Sequence, residues 1–178
     1  MLTSREHFSM TMALFEDNPR ALALRGRHRM ATVEMHANRN FRFRTMSDGS
    51  TLGTKRYFAF SHGAVPSWWG AEGISSKEPV IGVYENQAGT STDAIMLTED
   101  RIVILQAEGP VEIRLREIVR ADPPQKEPLS LSLTAHLTSG QAIEIPLYDP
   151  PGIAFDFYRF LIYAIRVEQG HAGGAHDK

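Results

Sequence analysis

Apolar residues occupy alternate positions in several segments of the second half of the chain. The pattern is clearest in 111–115, 129–133 and 143–147, where charged or other polar side chains fill most of the intervening positions. In an extended strand, successive side chains point to opposite faces, so each segment has one apolar and one polar face. The pattern predicts antiparallel strands with one buried face and one face in water.

Two other segments are apolar without interruption. Ile95–Leu97 and Ile102–Leu105 flank a short polar stretch that contains Glu99 and Asp100. Two apolar runs around a polar break predict two strands joined by a turn.

The chain closes with an amphipathic segment between Ile153 and Glu168. Its apolar residues recur every three or four positions, which is the spacing of one helical face. They are Phe157, Phe160, Leu161, Ala164 and Ile165. We predict a helix that packs this face against the sheet and ends at Gly170.

The first 40 residues show helical spacing instead of alternation. Phe8, Met12 and Phe15 share one face of a helix predicted over 4–17, and a second helix is predicted from Pro19. From residue 41 the period changes. Residues 41–46 alternate phenylalanine with arginine, 47–50 have turn composition, and 55–60 form the predicted partner strand of a basic hairpin.

Composition limits the class of protein. The chain has 178 residues, 42% of them hydrophobic and 22% charged, which fits one globular domain or one domain with an N-terminal appendage. It has no cysteine, so disulfides, thiolate catalysis and cysteine-ligated metals are excluded. The first residues lack the order of a signal peptide, and no apolar run reaches about 18 residues, so we expect a cytoplasmic protein.

Three segments, taken in order, carry a resemblance to a known family. Glu78–Ile81, Leu97–Ile102 and Ile113–Val119 resemble the bacterial pleckstrin-homology-like and GRAM-like domains over roughly residues 78–168. The resemblance implies an α+β fold, in which a strongly bent antiparallel sheet forms a partial barrel capped by the C-terminal helix. One departure is Arg114, at a position where the family often has proline.

The resemblance also suggests a domain division. Residues 1–62 would form an N-terminal helical segment plus the basic hairpin, which could complete the barrel. Residues 63–170 would form the pleckstrin-homology-like domain, and 171–178 a disordered tail, since that tail is rich in glycine.

Five basic residues around the predicted hairpin form the best candidate ligand site: Arg39, Arg42, Arg44, Lys55 and Arg56. Alternation would place Arg42 and Arg44 on one face, where both could reach phosphate groups. The alternatives are a solvated basic face and a contact with the acidic remainder of the chain.

Trp68 and Trp69 form the second candidate site, since they lie in a segment rich in glycine and proline. An exposed tryptophan would indicate a partner or a membrane interface. The alternative is that both rings pack over the edge of the sheet.

Catalytic and metal motifs are not found. The sequence contains no G-x-S-x-G and no phosphate-binding glycine loop, and its seven histidines form no recognisable set of metal ligands. We therefore expect no catalytic residues, no metal and no cofactor.

These observations favour a non-enzymatic binding or adaptor module. The expected ligand is a protein partner, or a second copy in a homo-oligomer built on exposed sheet edges. The alternatives are an anionic lipid headgroup at a membrane surface, bound through the basic hairpin, and a small enzyme of unknown reaction. Nucleic acid is not expected as a partner.

Overall fold

The computed structural model describes residues 32–70, 79–148 and 150–173. The chain divides into two compact units, Met1–Thr32 and Val33–Lys178, and apart from Thr32 every described residue belongs to the second. The helices predicted over 4–17 and from Pro19 lie outside the described residues.

The described chain begins with a helix and a small hairpin. Residues 32–41 form helix α1, and strands β1 (Arg44–Thr45) and β2 (Thr51–Leu52) pair antiparallel. The turn between them is the predicted one. In it the Asp48 carboxylate accepts hydrogen bonds from the Ser50 N–H at 2.9 Å and the Ser50 hydroxyl at 2.6 Å.

The predicted alternation over 41–46 is wrong. Phe41 ends α1 and is fully buried, whereas Phe43 is exposed, so the two rings do not share a face. The strand predicted over 55–60 is confirmed only at Tyr57–Ala59, and its predicted pairing with 41–46 is wrong. Lys55 and Arg56 lie in a turn, and the strand that follows pairs with a later strand. Tertiary packing of Phe41 has overridden a local pattern that alone favoured a strand.

The larger sheet has five antiparallel strands in chain order: β3 (Tyr57–Ala59), β4 (Val80–Glu85), β5 (Asp93–Thr98), β6 (Arg101–Gln106) and β7 (Val111–Arg114). A 3₁₀ turn at Phe60–His62 follows β3. Glu99 and Asp100 join β5 to β6 as predicted.

Both faces of this sheet are buried at its centre. On one face, Ile95, Leu97 and Ile102 belong to the main core. On the other, Met96 and Val103 belong to a second cluster that contains Trp68. Burial on both faces explains why β5 and β6 read as continuous apolar runs rather than as alternating strands.

The smaller sheet has three antiparallel strands in the order β10-β9-β8. They are β8 (Ile118–Ala121), β9 (Ser132–Leu137) and β10 (Ala142–Pro146), and a 3₁₀ turn at Leu115–Glu117 joins β7 to β8. Leu133 and Ile145 point into the main core. The predicted strand over 129–133, with its alternate leucines buried, is confirmed at Leu133 alone. Leu129 and Leu131 precede β9 and are exposed.

Helix α2 (Ile153–Gly173) closes the main core. All five residues of its predicted apolar face are buried: Phe157, Phe160, Leu161, Ala164 and Ile165. It continues past the predicted end at Gly170. Within the described ranges, neither helix is long and apolar enough to cross a membrane.

The fold is therefore α+β, with two antiparallel sheets, a C-terminal helix and a short helix before the first strand. Val33, Ala37 and Phe41 of α1 pack in the same core as β5 and α2. The division at residue 62 and the disordered tail stay predictions.

Candidate functional site

The basic segment, residues 39–56, is anchored to the core by Phe41. The Phe41 ring lies 5.3 Å from that of Tyr57 and 4.8 Å from that of Phe157, measured between centroids. Its carbonyl accepts a hydrogen bond from the Thr54 N–H at 2.8 Å. These contacts fix the two ends of the segment beside each other.

Gly53 permits this close approach. Its φ is +73°, in the left-handed region, and a Cβ at this position would collide with the backbone of Arg42. Only glycine meets both conditions without strain. The return of the chain past Arg42 therefore depends on Gly53.

The structure brings two of the five basic residues to the base of the hairpin. The Arg42 guanidinium donates to the His62 Nε2 at 3.0 Å, and the Lys55 ammonium lies 5.2 Å from the centroid of the Phe43 ring. A cation at this distance over an aromatic face is attracted to the ring. Arg42 and Lys55 are both exposed.

The other three are placed differently. Arg39 is exposed on α1, and Arg56 is half-buried beside the start of β3. Arg44 lies in β1, paired with Leu52. The proposed grouping of all five residues at one ligand stays a prediction.

Apolar side chains are exposed within the same segment. Phe43 is 36% exposed and Met46 is 44% exposed. Between residues 39 and 56 there are five basic residues and one acidic residue, Asp48, which gives the segment a net charge of +4. The pKa of Asp48 is lowered by its hydrogen bonds from Ser50, so its carboxylate is committed to the turn.

The tryptophan pair is largely packed. Trp68 is buried in the second cluster, and its indole N–H donates to the Glu85 carboxylate at 2.7 Å. Trp69 is half-buried, with its ring edge-on to Phe60 at 4.7 Å between centroids. Binding of a partner at this pair stays a prediction, and Trp69 is the member with accessible surface.

The five-stranded and three-stranded sheets have four edges, and local hydrogen bonds occupy outward backbone groups at two of them, β10 and β3. The bonds of Leu137 with Gln141 and of Leu147 with Leu131 show that odd-numbered residues of β10 face β9, so its even-numbered residues face outward. Pro146 has no N–H, and the Asn86 amide donates to its carbonyl at 2.9 Å. The Asn86 side-chain oxygen accepts the outward Tyr148 N–H at 3.2 Å. Asn86 therefore occupies this end of β10 as a neighbouring strand would.

The edge at β3 is closed in a similar way. Its outward Ala59 carbonyl accepts the Ala64 N–H at 3.3 Å, and the Tyr57 N–H bonds the Thr54 carbonyl at 3.4 Å. The edge at β8 is interrupted by a register shift between Ile118 and Arg120. A bulge of this kind turns an edge away from regular pairing. This leaves β7 as the regular edge.

A polar cluster lies on the outer face of the smaller sheet. The His136 Nε2 is 2.8 Å from the Asp122 carboxylate and 3.3 Å from the Arg120 guanidinium. One ring nitrogen cannot donate to Asp122 and accept from Arg120 together, and the shorter contact favours an Nε2–H that donates to the Asp122 carboxylate. This hydrogen bond holds the pKa of Asp122 below its usual value. Among the described residues, no three acidic or histidine side chains are placed to hold a metal ion.

Sequence reasoning missed Glu85 and Asn86. Both are 2% exposed and follow the apolar run of β4 directly. A polar pair at the end of a buried strand is a weak signal of internal hydrogen bonding, but their partners Trp68 and Pro146 lie far away in sequence.

Comparison of the chain with protein-family models, with curated proteins and with solved structures gave no match. The interpretation of the site therefore rests on its geometry.

Proposed function

We propose that this chain is a non-enzymatic binding module of pleckstrin-homology-like type that binds anionic membrane surfaces through the basic segment. The two sheets and α2 share one core, and the Asn86 side chain joins the end of β4 to the end of β10. Both features support a bent, barrel-like arrangement capped by a helix.

One observation carries the ligand class: Phe43 and Met46 are exposed inside a segment of net charge +4. Basic side chains bind lipid phosphates, and exposed apolar side chains insert among the acyl chains next to them. An anionic bilayer therefore offers phosphate groups to the basic side chains and acyl chains to Phe43 and Met46.

Other anionic ligands fit this surface less well. A soluble phosphate compound would use Arg42 and Lys55 but would leave Phe43 and Met46 in water. A single-stranded nucleic acid would stack a base on an aromatic ring, and the Lys55 ammonium already covers one face of Phe43.

The test is sedimentation of the full chain with vesicles of phosphatidylcholine alone and with a fraction of phosphatidylserine. One basic residue near an anionic surface contributes about 1 kcal/mol, which is roughly fivefold in affinity. The double variant R42Q/K55Q should bind the anionic vesicles about 25-fold more weakly, and F43S should bind several-fold more weakly. R166Q is the matched control, because Arg166 is exposed on α2.

Binding should need the anionic lipid and should weaken as salt rises. The proposal fails if the full chain does not sediment with anionic vesicles, or if R166Q reduces binding as much as a change at Lys55. Binding that F43S leaves unchanged, and that inositol hexakisphosphate competes away, would assign the site to a soluble anion.

A second candidate function is self-association through a sheet edge. It is favoured by a separate observation, the open and regular edge at β7.

A further inference from the structure

We infer that two copies of this chain pair edge to edge through β7, with their strands antiparallel about a twofold axis at Ile113. This goes beyond the membrane proposal, since it uses none of the residues of the basic segment. It specifies the register and the residues of the second candidate function.

The backbone groups of two residues in β7, Glu112 and Arg114, face outward from the sheet. The Leu115 N–H bonds the Asp100 carbonyl at 2.8 Å, and the register pairs Ile113 with Ile102 and Glu112 with Val103. Hydrogen-bonded pairs alternate along an antiparallel ladder, so the odd-numbered residues of β7 bond β6. The N–H and C=O groups of Glu112 and Arg114 point away from the sheet. No backbone group among the described residues bonds them.

The outward groups of β7 limit the register that a second copy can take. Outward groups can bond only other outward groups, which allows a twofold axis at Glu112, at Ile113 or at Arg114. An axis at Glu112 or at Arg114 places two like charges directly opposite each other. The axis at Ile113 is therefore favoured, with Glu112 of one copy facing Arg114 of the other and Arg114 facing Glu112. Ile113 then faces its own copy across the axis without hydrogen bonds. This register forms four backbone hydrogen bonds and two pairs of opposite charges.

The charges along β7 are complementary to those of a second copy in this register. Within one chain Arg101 and Arg114 lie directly opposite each other, and like charges so placed are unfavourable. The Glu112 carboxylate bonds Arg101 at 2.6 Å, on the side away from the edge. A Glu112 from a second copy would supply the counter-charge beside Arg114, whose side chain is exposed.

The edge at β10 does not offer the same match. On β10, an axis at Ile143 would pair Ala142 with Glu144, and an axis at Ile145 would pair Glu144 with Pro146, which has no N–H. Asn86 also occupies the outward groups at that end. Of these two edges, only β7 places opposite charges facing each other when it pairs with a second copy.

The paired segment is short, so the dimer should be weak. Before Glu112, the next outward position is Pro110, which has no N–H to donate to a second copy. After Arg114, the strand gives way to the 3₁₀ turn that starts at Leu115. Interfaces of this size form transient complexes. We expect a monomer–dimer equilibrium that depends on concentration and weakens with salt.

The test is sedimentation equilibrium of the full chain and of two charge reversals, E112R and R114E. Each single variant places like charges opposite each other twice in the dimer, so each should self-associate at least about tenfold more weakly. An equimolar mixture of E112R and R114E restores both attractive pairs and should associate as the wild type does. The double variant E112R/R114E should also recover, since it restores the pairs and gives Arg101 an acidic partner at position 114.

E144R is the matched control, because Glu144 is exposed on the β10 edge, and it should leave association unchanged. The recovery of the mixture and of the double variant separates lost pairing from lost folding. The inference is overturned if the wild type stays monomeric up to about 1 mM. It is equally overturned if the mixture does not recover, or if E144R weakens association as much as E112R.

Discussion

Replacing Asn86 tests the hydrogen bonds that join the two sheets. Its side chain is 2% exposed and makes three hydrogen bonds. Two of them reach the end of β10: the amide donates to the Pro146 carbonyl at 2.9 Å, and the oxygen accepts the Tyr148 N–H at 3.2 Å. The third stays within the larger sheet, where the amide donates to the Asp93 carboxylate at 3.1 Å. Each contributes about 1 kcal/mol net. We expect Asn86→Ala to lower the free energy of unfolding by about 3 kcal/mol.

The measurement is urea unfolding followed by circular dichroism, with the thermal midpoint as a second readout. For a chain of this size, a loss of about 3 kcal/mol corresponds to a fall of roughly 6–12 °C in Tm. The matched control is Gln87→Ala, the next residue along, whose side chain is exposed. It should change the free energy by less than about 0.5 kcal/mol.

Asn86→Asp makes the test more specific. The aspartate keeps an acceptor for the Tyr148 N–H, but it loses the donor to Pro146 and places a second carboxylate beside Asp93. At pH 7 it should cost more than the alanine variant, and part of the loss should return near pH 4, where the new carboxyl group gains a proton. A cost below about 1 kcal/mol for Asn86→Ala, or an aspartate variant as stable as the wild type, would refute the reasoning.

Three further predictions concern other parts of the chain. Gly53→Ala should lower the free energy of unfolding by more than about 2 kcal/mol, because the new Cβ would collide with backbone atoms of Arg42. Gly49→Ala is the control: this glycine also has a positive φ but lies in open space, so its replacement should cost only about 1 kcal/mol. Equal costs for the two variants would argue against the close approach at Gly53. Trp68→Phe keeps an aromatic ring but loses the indole N–H and part of the ring volume, so a buried carboxylate oxygen is left without its donor. Urea unfolding should show a loss of at least about 2 kcal/mol, against a smaller change for Trp69→Phe. The pKa of His36 is lowered from 6.5, first by burial and then by the positive charge of Arg39. The contribution of neutral His36 to stability is therefore present above pH 6.5 and is lost as the pH falls through the lowered pKa. The urea midpoint should therefore fall between pH 8 and pH 5.5 by more in the wild type than in His36→Phe, and equal falls would contradict the assignment.

The spacing of apolar residues predicts those elements whose buried side chains all pack against a single core. The apolar face of α2 is one example, since Phe157, Phe160 and Leu161 pack together on a single core. The sequence pattern fails at residues 41–46. There, one phenylalanine is drawn into the core at the end of a helix, and the next remains at the surface two positions later.

The candidate sites show the same limit. Arg42 and Lys55 could be singled out by charge, but their approach depends on Phe41 packing in the core and on the chain passing Arg42 at Gly53. The alternation of Glu112 with Arg114 is plain in the sequence. That the two residues lie on an edge, with their backbone groups outward, depends on strand order, which no local pattern specifies.

The burial of the larger sheet explains why both proposed surfaces lie at its margins. The main core covers one face of β5 and β6, and the cluster of Trp68 covers the other, so neither face is open to a ligand. The outer face of the smaller sheet carries polar groups such as the bonded pair of His136 and Asp122. We therefore expect ligands and partners to bind at edges and at protruding turns. The basic segment is such a turn and β7 is such an edge, and because they share no residue, Lys55 variants and Glu112 variants test the two proposals separately.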